Sequence, residues 1–249
     1  MDFSGKTAMV TGAGRNMGKG IAMAFAKAGA MVLVCDLDFE SAESTAKEIC
    51  SLGGKAMPFA FDVRDRKKIF EAVEAAEKEL GGVDILVNNA GGSASLLGKL
   101  TDFVDAEEST IDFVLDVNLK GSINCIQAVL PGMIRRQWGR IISISSIAGI
   151  CGIKKRCDYA AAKAGIVGLS KSLAMEVGAD GITVNCISPG AIQRGDKPHP
   201  GHWTYIGKNG REGKPSEIAE AVLFLAGQSY ITGENLVVDG GRILGPKSL

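Results

Sequence analysis

A chain of 249 residues with 28 basic and 28 acidic side chains carries no formal net charge, which removes the bulk attraction that nucleic acids and anionic membranes exert on basic proteins. Its six cysteines form no Cys-x-x-Cys pair and no metal-ligand spacing, so free thiols in a reducing compartment are expected, and no metal. The N-terminus shows no basic-then-apolar leader and no apolar run approaches the roughly 20 residues of a membrane span, so the chain reads as soluble and cytoplasmic, with a small molecule as its substrate.

Thr7 to Val10 is a short apolar run that ends in Thr11-Gly12-Ala13-Gly14-Arg15-Asn16-Met17-Gly18, after which Ile21, Ala22, Phe25 and Ala26 recur at helical spacing. Strand, glycine-rich turn and helix in this order suit a diphosphate: glycine lets the backbone come close, and the helix start offers unpaired N–H groups. A second apolar run, Met31 to Cys35, ends in Asp36, placed where a carboxylate accepts hydrogen bonds from an adenosine ribose. The alternation repeats through a helix over 39–52, a strand over 56–61 ending at Asp62-Val63, a helix over 65–80, and a strand over 83–87 running into Asn88-Asn89-Ala90-Gly91-Gly92. Alternating strands and helices predict a parallel sheet, whose right-handed crossovers bring Gly12, Asp36, Asp62 and Asn88 to Gly91 to one edge. Each of these residues singly is also ordinary turn chemistry.

Residues 93 to 109 are polar and read as a loop followed by a helix start carrying Ile111, Val114 and Leu115. Asn118 falls inside the helical pattern that resumes with Ile126, Val129 and Leu130, where its side chain competes for backbone groups, so a helix irregularity is expected. A strand over 140–144 delivers Ser145 and Ser146 to the same sheet edge. Tyr159 and Lys163 follow, four apart in an alanine-rich run and so on one helix face. An ammonium one turn away favours the phenolate and makes Tyr159 a candidate acid or base, the plainer reading being a solvated pair. The cluster Lys154-Lys155-Arg156 suits a solvated loop, or contact with a substrate carboxylate, sulfonate or phosphate. After a strand over 181–187, residues 190 to 214 lack periodicity and read as a substrate loop; His199 and His202 within it have no third ligand for a metal. Pro215 opens a helix to Gly227, and 236–238 is a last strand. The expected fold over 1–249 is α/β: a single doubly wound, Rossmann-type domain with a parallel sheet of about seven strands and helices on both faces.

These motifs together resemble the short-chain dehydrogenase/reductase family over nearly the whole chain. Thr11, Gly12 and Gly18 match its Thr-Gly-x-x-x-Gly-x-Gly turn, Asn88 to Gly91 its Asn-Asn-Ala-Gly, and Tyr159 with Lys163 its Tyr-x-x-x-Lys. The resemblance implies a catalytic set of Asn118, Ser146, Tyr159 and Lys163, the serine being the one thirteen positions before the tyrosine. In that set Ser146 would hold the substrate oxygen, Tyr159 would exchange its proton, and Lys163 would supply much of the field that lowers the phenol. Sheet-edge position and resemblance give the cofactor-binding set Gly12, Arg15, Asn16, Met17, Gly18, Asp36, Leu37, Asp62, Val63, Asn89, Ala90, Gly91, Tyr159, Lys163, Pro189, Gly190 and Ile192. The family's habit implies a homotetramer.

Two positions depart from the pattern. Asn16 replaces the middle glycine, a change that suits a left-handed backbone. Arg194 replaces the threonine usual after Pro-Gly and adds a positive charge, so Ser146, Lys154, Arg156 and Arg194 form the candidate substrate set. Asp36 followed by Leu37 predicts NAD, with Arg15 as the opposing signal for a 2′-phosphate. The expected activity is NAD-dependent oxidation or reduction at a secondary alcohol or ketone of a polyol, sugar or hydroxy acid, anionic if the cations meet it. The alternative is an NADPH-dependent carbonyl reductase of the 3-oxoacyl type; a nucleotide-sensing scaffold would not require the serine, tyrosine and lysine together.

Overall fold

The computed structural model describes residues 1–194, 204–206 and 210–245. Its strands are β1 (Thr7–Thr11), β2 (Met31–Asp36), β3 (Lys55–Ala60), β4 (Ile85–Asn88), β5 (Gly139–Ile144), β6 (Ile182–Pro189) and β7 (Asn235–Val238). Its helices are α1 (Asn16–Lys27), α2 (Phe39–Ser51), α3 (Arg66–Leu80), α4 (Glu108–Leu115), α5 (Gly121–Arg136), α6 (Ala148–Cys151), α7 (Cys157–Val177) and α8 (Pro215–Ala226). All strand pairs are parallel, in the order β3-β2-β1-β4-β5-β6-β7.

Alternate side chains of each strand feed opposite faces of this sheet. Ala8, Val10, Val32, Val34, Ile85, Val87, Ile142 and Ile144 join one apolar cluster, with α1, α2 and α8 packed over it. Met9, Leu33, Leu86, Ile141 and Val184 join the other, covered by α3, α5 and α7. A strand buried on both faces has no polar side to show, which is why the sequence presents continuous apolar runs. The expected doubly wound α/β architecture is what the chain adopts.

The strand order reverses between β1 and β4, where the chain departs in opposite directions and opens a crevice at the carboxyl ends of the strands. Asp38 and Asp65 cap the starts of α2 and α3 by accepting from Glu40 N–H and Lys68 N–H. The start of α1, which faces the crevice, has no side-chain cap.

The run over 93–109 contains two 3-10 turns, Ala94–Leu97 and Phe103–Asp105, and the short α6 has no periodicity that a sequence reading could catch. His199 and His202, with the rest of 195–203 and 207–209 of the expected substrate loop, lie outside the described residues. No helix among the described residues is long and apolar enough to cross a membrane.

Candidate active site

The crevice is a cleft of about 560 Å³, and each of the seventeen predicted cofactor residues lies in its wall. At the turn after β1, Gly12 has a left-handed φ of 62°, and a Cβ on it would come within 3.0 Å of Ala90 Cα. Gly18 sits so close that a Cβ would strike the Gly12 carbonyl oxygen. Asn16 adopts φ 48°, so the asparagine occupies the left-handed conformation that its replacement of glycine requires.

Asn89 closes this turn against β4. Its Nδ2 donates to Thr11 O at 2.9 Å and Gly12 O at 3.1 Å, while Thr11 Oγ1 accepts from Asn89 N–H and Ala90 N–H at 3.1 and 3.0 Å. Its Oδ1 is buried and unpartnered among the described residues. Asp36 is buried at the end of β2, with Oδ2 accepting from Gly14 N–H at 2.9 Å and Oδ1 from Asp38 N–H at 3.1 Å. Each oxygen keeps a second acceptor position.

Arg64, Phe113 and Leu96 are among the cleft residues that escaped the sequence reading. Arg64 grips Asp62 through Nε and Nη2 at 2.6 to 3.1 Å and holds that carboxyl below the usual carboxylate range. The same guanidinium lies 5.0 Å above the Phe113 ring, and Leu96 closes the cleft nearby. Arg64 follows Asp62 by two in a polar turn, but Phe113 and Leu96 reach it from distant segments that no local pattern connects.

At the other end stand Ser146, Tyr159 and Lys163. Ser146 Oγ accepts from Ala148 N–H at 3.1 Å, and its hydroxyl shares the cleft wall with the Tyr159 phenol. Ser145, the neighbouring candidate, is turned away and donates to Lys163 O at 2.7 Å, which fixes the strand to α7. Lys163 is buried, donates from Nζ to Ile144 O at 2.8 Å, and lies 5.6 Å from the centre of the Tyr159 ring. Burial pulls its pKa down to about 8.

Tyr159 corrects one expectation. Its pKa is raised, because desolvation outweighs the neighbouring Ser146 hydroxyl and the charges of Arg194 and Arg156. Lys163, though 5.6 Å from the ring centre, is itself desolvated and committed to a backbone carbonyl. The phenol therefore stands as a proton donor, not a phenolate.

Asn118 has a structural job in a wide turn. Asp116–Lys120 forms a π-helical segment between α4 and α5, as the expected irregularity. The fully buried Asn118 accepts from Gly92 N–H at 3.0 Å and donates to Gly92 O and Val114 O, both at 2.8 Å. It pins the turn after β4 and does not line the cleft. A Cβ on Gly91 would clash with Asn118 Oδ1 and lie 3.3 Å from Lys163 Nζ, so the three residues meet. Asn118→Ala orphans a buried N–H and weakens two carbonyls, and is expected to cost about 3 kcal/mol in urea unfolding at unchanged m; a loss below about 1 kcal/mol would overturn the pinning role.

Of the candidate substrate groups, Ser146 and Arg194 line the cleft, whereas Lys154 and Arg156 do not. Among the described residues no group of three or more His, Cys, Asp or Glu is placed to hold a metal.

The residues fit a nicotinamide dinucleotide. An uncapped helix start behind glycines that leave no room for a Cβ suits the diphosphate, and the fixed Asp36 carboxylate suits a ribose diol. The Asn89 Oδ1 is an unused acceptor in the same wall. With a serine, tyrosine and lysine at the far end, fold and site define an oxidoreductase that acts on carbonyl or alcohol groups with a nicotinamide cofactor.

The profile of the short chain dehydrogenases matches residues 6–197. The chain belongs to that family. It is 38% identical over 251 residues to a 3-oxoacyl-[acyl-carrier-protein] reductase FabG of Thermotoga maritima, covering 98% of this chain and 100% of the relative. It is 36% identical over 252 residues to subunit BbsD of a (2S)-[(R)-hydroxy(phenyl)methyl]succinyl-CoA dehydrogenase of Thauera aromatica, covering 98% and 99%. The crystal structure of a Brucella melitensis 3-oxoacyl-[acyl-carrier protein] reductase with bound NAD superposes with a TM-score of 0.87 at 34% identity, over 96% of this chain and 92% of that one.

Proposed function

We propose that this protein interconverts a 3-oxoacyl thioester and its 3-hydroxyacyl form with NAD(H). The substrate follows the alternative expectation, the cofactor the leading one. The observation that carries it is the protonated Tyr159 phenol in the cleft wall with Ser146, an acid suited to a ketone oxygen. Relatives named for 3-oxoacyl and hydroxyacyl thioester chemistry support the substrate class.

When bound, the reduced nicotinamide supplies the hydride. Ser146 and Tyr159 hold the carbonyl oxygen, and Tyr159 gives it a proton as the alcohol forms. Lys163 keeps a cation behind the tyrosine, tied to Ile144 O. Asp36 supports NAD over NADP, since a 2′-phosphate beside it meets repulsion of up to about 4 kcal/mol per unit charge pair at about 4 Å and an effective dielectric of about 20. The related NAD-bound reductase supports the same choice.

The test is NADH consumption by the purified protein with acetoacetyl-CoA, run beside NADPH and beside NAD with a panel of polyols and sugars. Thioester-dependent loss of NADH, at least about tenfold more efficient than any polyol, is the expected result. Polyol oxidation with no thioester reduction would sink the proposal.

A further inference from the structure

One guanidinium group stands in the wall at the reacting end of the cleft, and a second heads the helix that carries Tyr159. Arg194 is exposed and lies in the wall with Ser146, Tyr159 and Gly190. The backbone that carries it is fixed: Gln193 N–H donates to Gly213 O at 2.8 Å, Gly213 N–H donates to Ala191 O at 2.9 Å, and Ile192 bridges Gly213. Arg156 is half-buried at the start of α7, its carbonyl accepting from Ala160 N–H at 2.8 Å. Arg194 thus shares the cleft wall with Tyr159, and Arg156 lies three residues before that tyrosine at the start of the helix that carries it.

Among the described residues neither arginine has an ion-pair partner. The neighbouring Lys155 is taken up by Asp102 at 3.6 Å, and Asp158 accepts from Tyr159 N–H at 2.7 Å. An unneutralised cation in the wall of a cleft, with a second on the helix behind it, raises the local concentration of anions. The planar guanidinium fork adds specificity, because it matches a carboxylate through two parallel hydrogen bonds.

We propose that Arg194, assisted by Arg156, binds a carboxylate on the substrate, so that the preferred substrate carries one within a few carbons of the reacting carbonyl. For thioesters this deepens the function proposed above; a pair of simple ketones tests it independently of that reading.

Two matched pairs serve as probes, each differing by a carboxylate in place of a methyl group: 3-oxoadipyl-CoA with 3-oxohexanoyl-CoA, and levulinate with 2-pentanone. The ratio of kcat/KM within each pair is measured for the wild type, Arg194→Gln, Arg194→Lys and Arg156→Gln. The wild type is expected to favour the carboxylate partner at least about tenfold, Arg194→Gln to abolish that preference, and Arg194→Lys to keep part of it. If the ketones turn over with this pattern and the thioesters do not, the carboxylate site stands and the thioester reading falls. If neither pair turns over, calorimetric binding of levulinate against 2-pentanone to the cofactor-loaded protein is judged by the same ratio. Equal use of both partners by the wild type, a ratio unmoved in Arg194→Gln, or a change confined to the KM of the cofactor would overturn the proposal.

Discussion

Tyr159→Phe is expected to lower kcat/KM for reduction about 10³-fold, within the range that a positioned general acid contributes. The substitution removes one oxygen and leaves the ring packed against the cleft, so the loss should fall on kcat, with the cofactor dissociation constant changed less than about threefold. Lys163 gives the same experiment a pH signature. Below pH 8 it is protonated and stands behind the tyrosine as a cation; above pH 8, where its pKa has been pulled by burial, the free protein loses that charge. Since kcat/KM reports the free enzyme, reduction should be level below pH 8 and fall above it. Lys163→Arg, which stays charged to a pH of about 12, should move that limb upward in whatever activity remains. Tyr159→Phe retaining a tenth or more of the wild-type rate would remove the tyrosine from the chemistry.

Asp36→Asn tests the other end of the cleft. The exchange keeps an acceptor for either Gly14 N–H or Asp38 N–H, turns the other oxygen into an amide donor and deletes the charge. The repulsion felt by a 2′-phosphate, up to about 4 kcal/mol at about 4 Å and an effective dielectric of about 20, then disappears, and part of the hydrogen bonding to the ribose of NAD goes with it. The ratio of catalytic efficiencies with NADPH and NADH should therefore rise about 100-fold, since half to three-quarters of that ceiling corresponds to roughly 30- to 200-fold. Arg15, exposed in the same wall, should add to the gain with NADPH. A wild-type preference of about tenfold for NADPH would refute the assignment of Asp36 before any variant is made.

The contrast between the two ends explains what could be read from residues alone. Strands buried on both faces write themselves as apolar runs, and the sheet edge collects whatever follows each run, so Gly12, Asp36, Asp62 and Asn89 could be placed together without a structure. Glycine and asparagine at a left-handed turn were legible because few residues tolerate it. The Tyr159 shift was not legible, since spacing reports that Lys163 is near but not that both groups are desolvated and that the ammonium is spent on Ile144 O. Nor was the Arg64 grip on Asp62 beneath Phe113, which joins segments some fifty residues apart. The basic cluster divided by geometry: Lys155 turned to Asp102, while Arg156, at the start of the tyrosine helix, makes no ion pair among the described residues.

The wide turn at Asn118 also settles a matter of phase. Val114 and Ile126 are both buried and twelve positions apart, and on an uninterrupted α-helix, at about 100° per residue, they would point about 120° away from each other. By absorbing one residue, the π segment Asp116–Lys120 acts as a helical gear tooth: the effective separation becomes eleven, and the two directions come within about 20°. Deleting a residue there would mend the ladder of the helix and turn every later side chain of α5 off the face it buries.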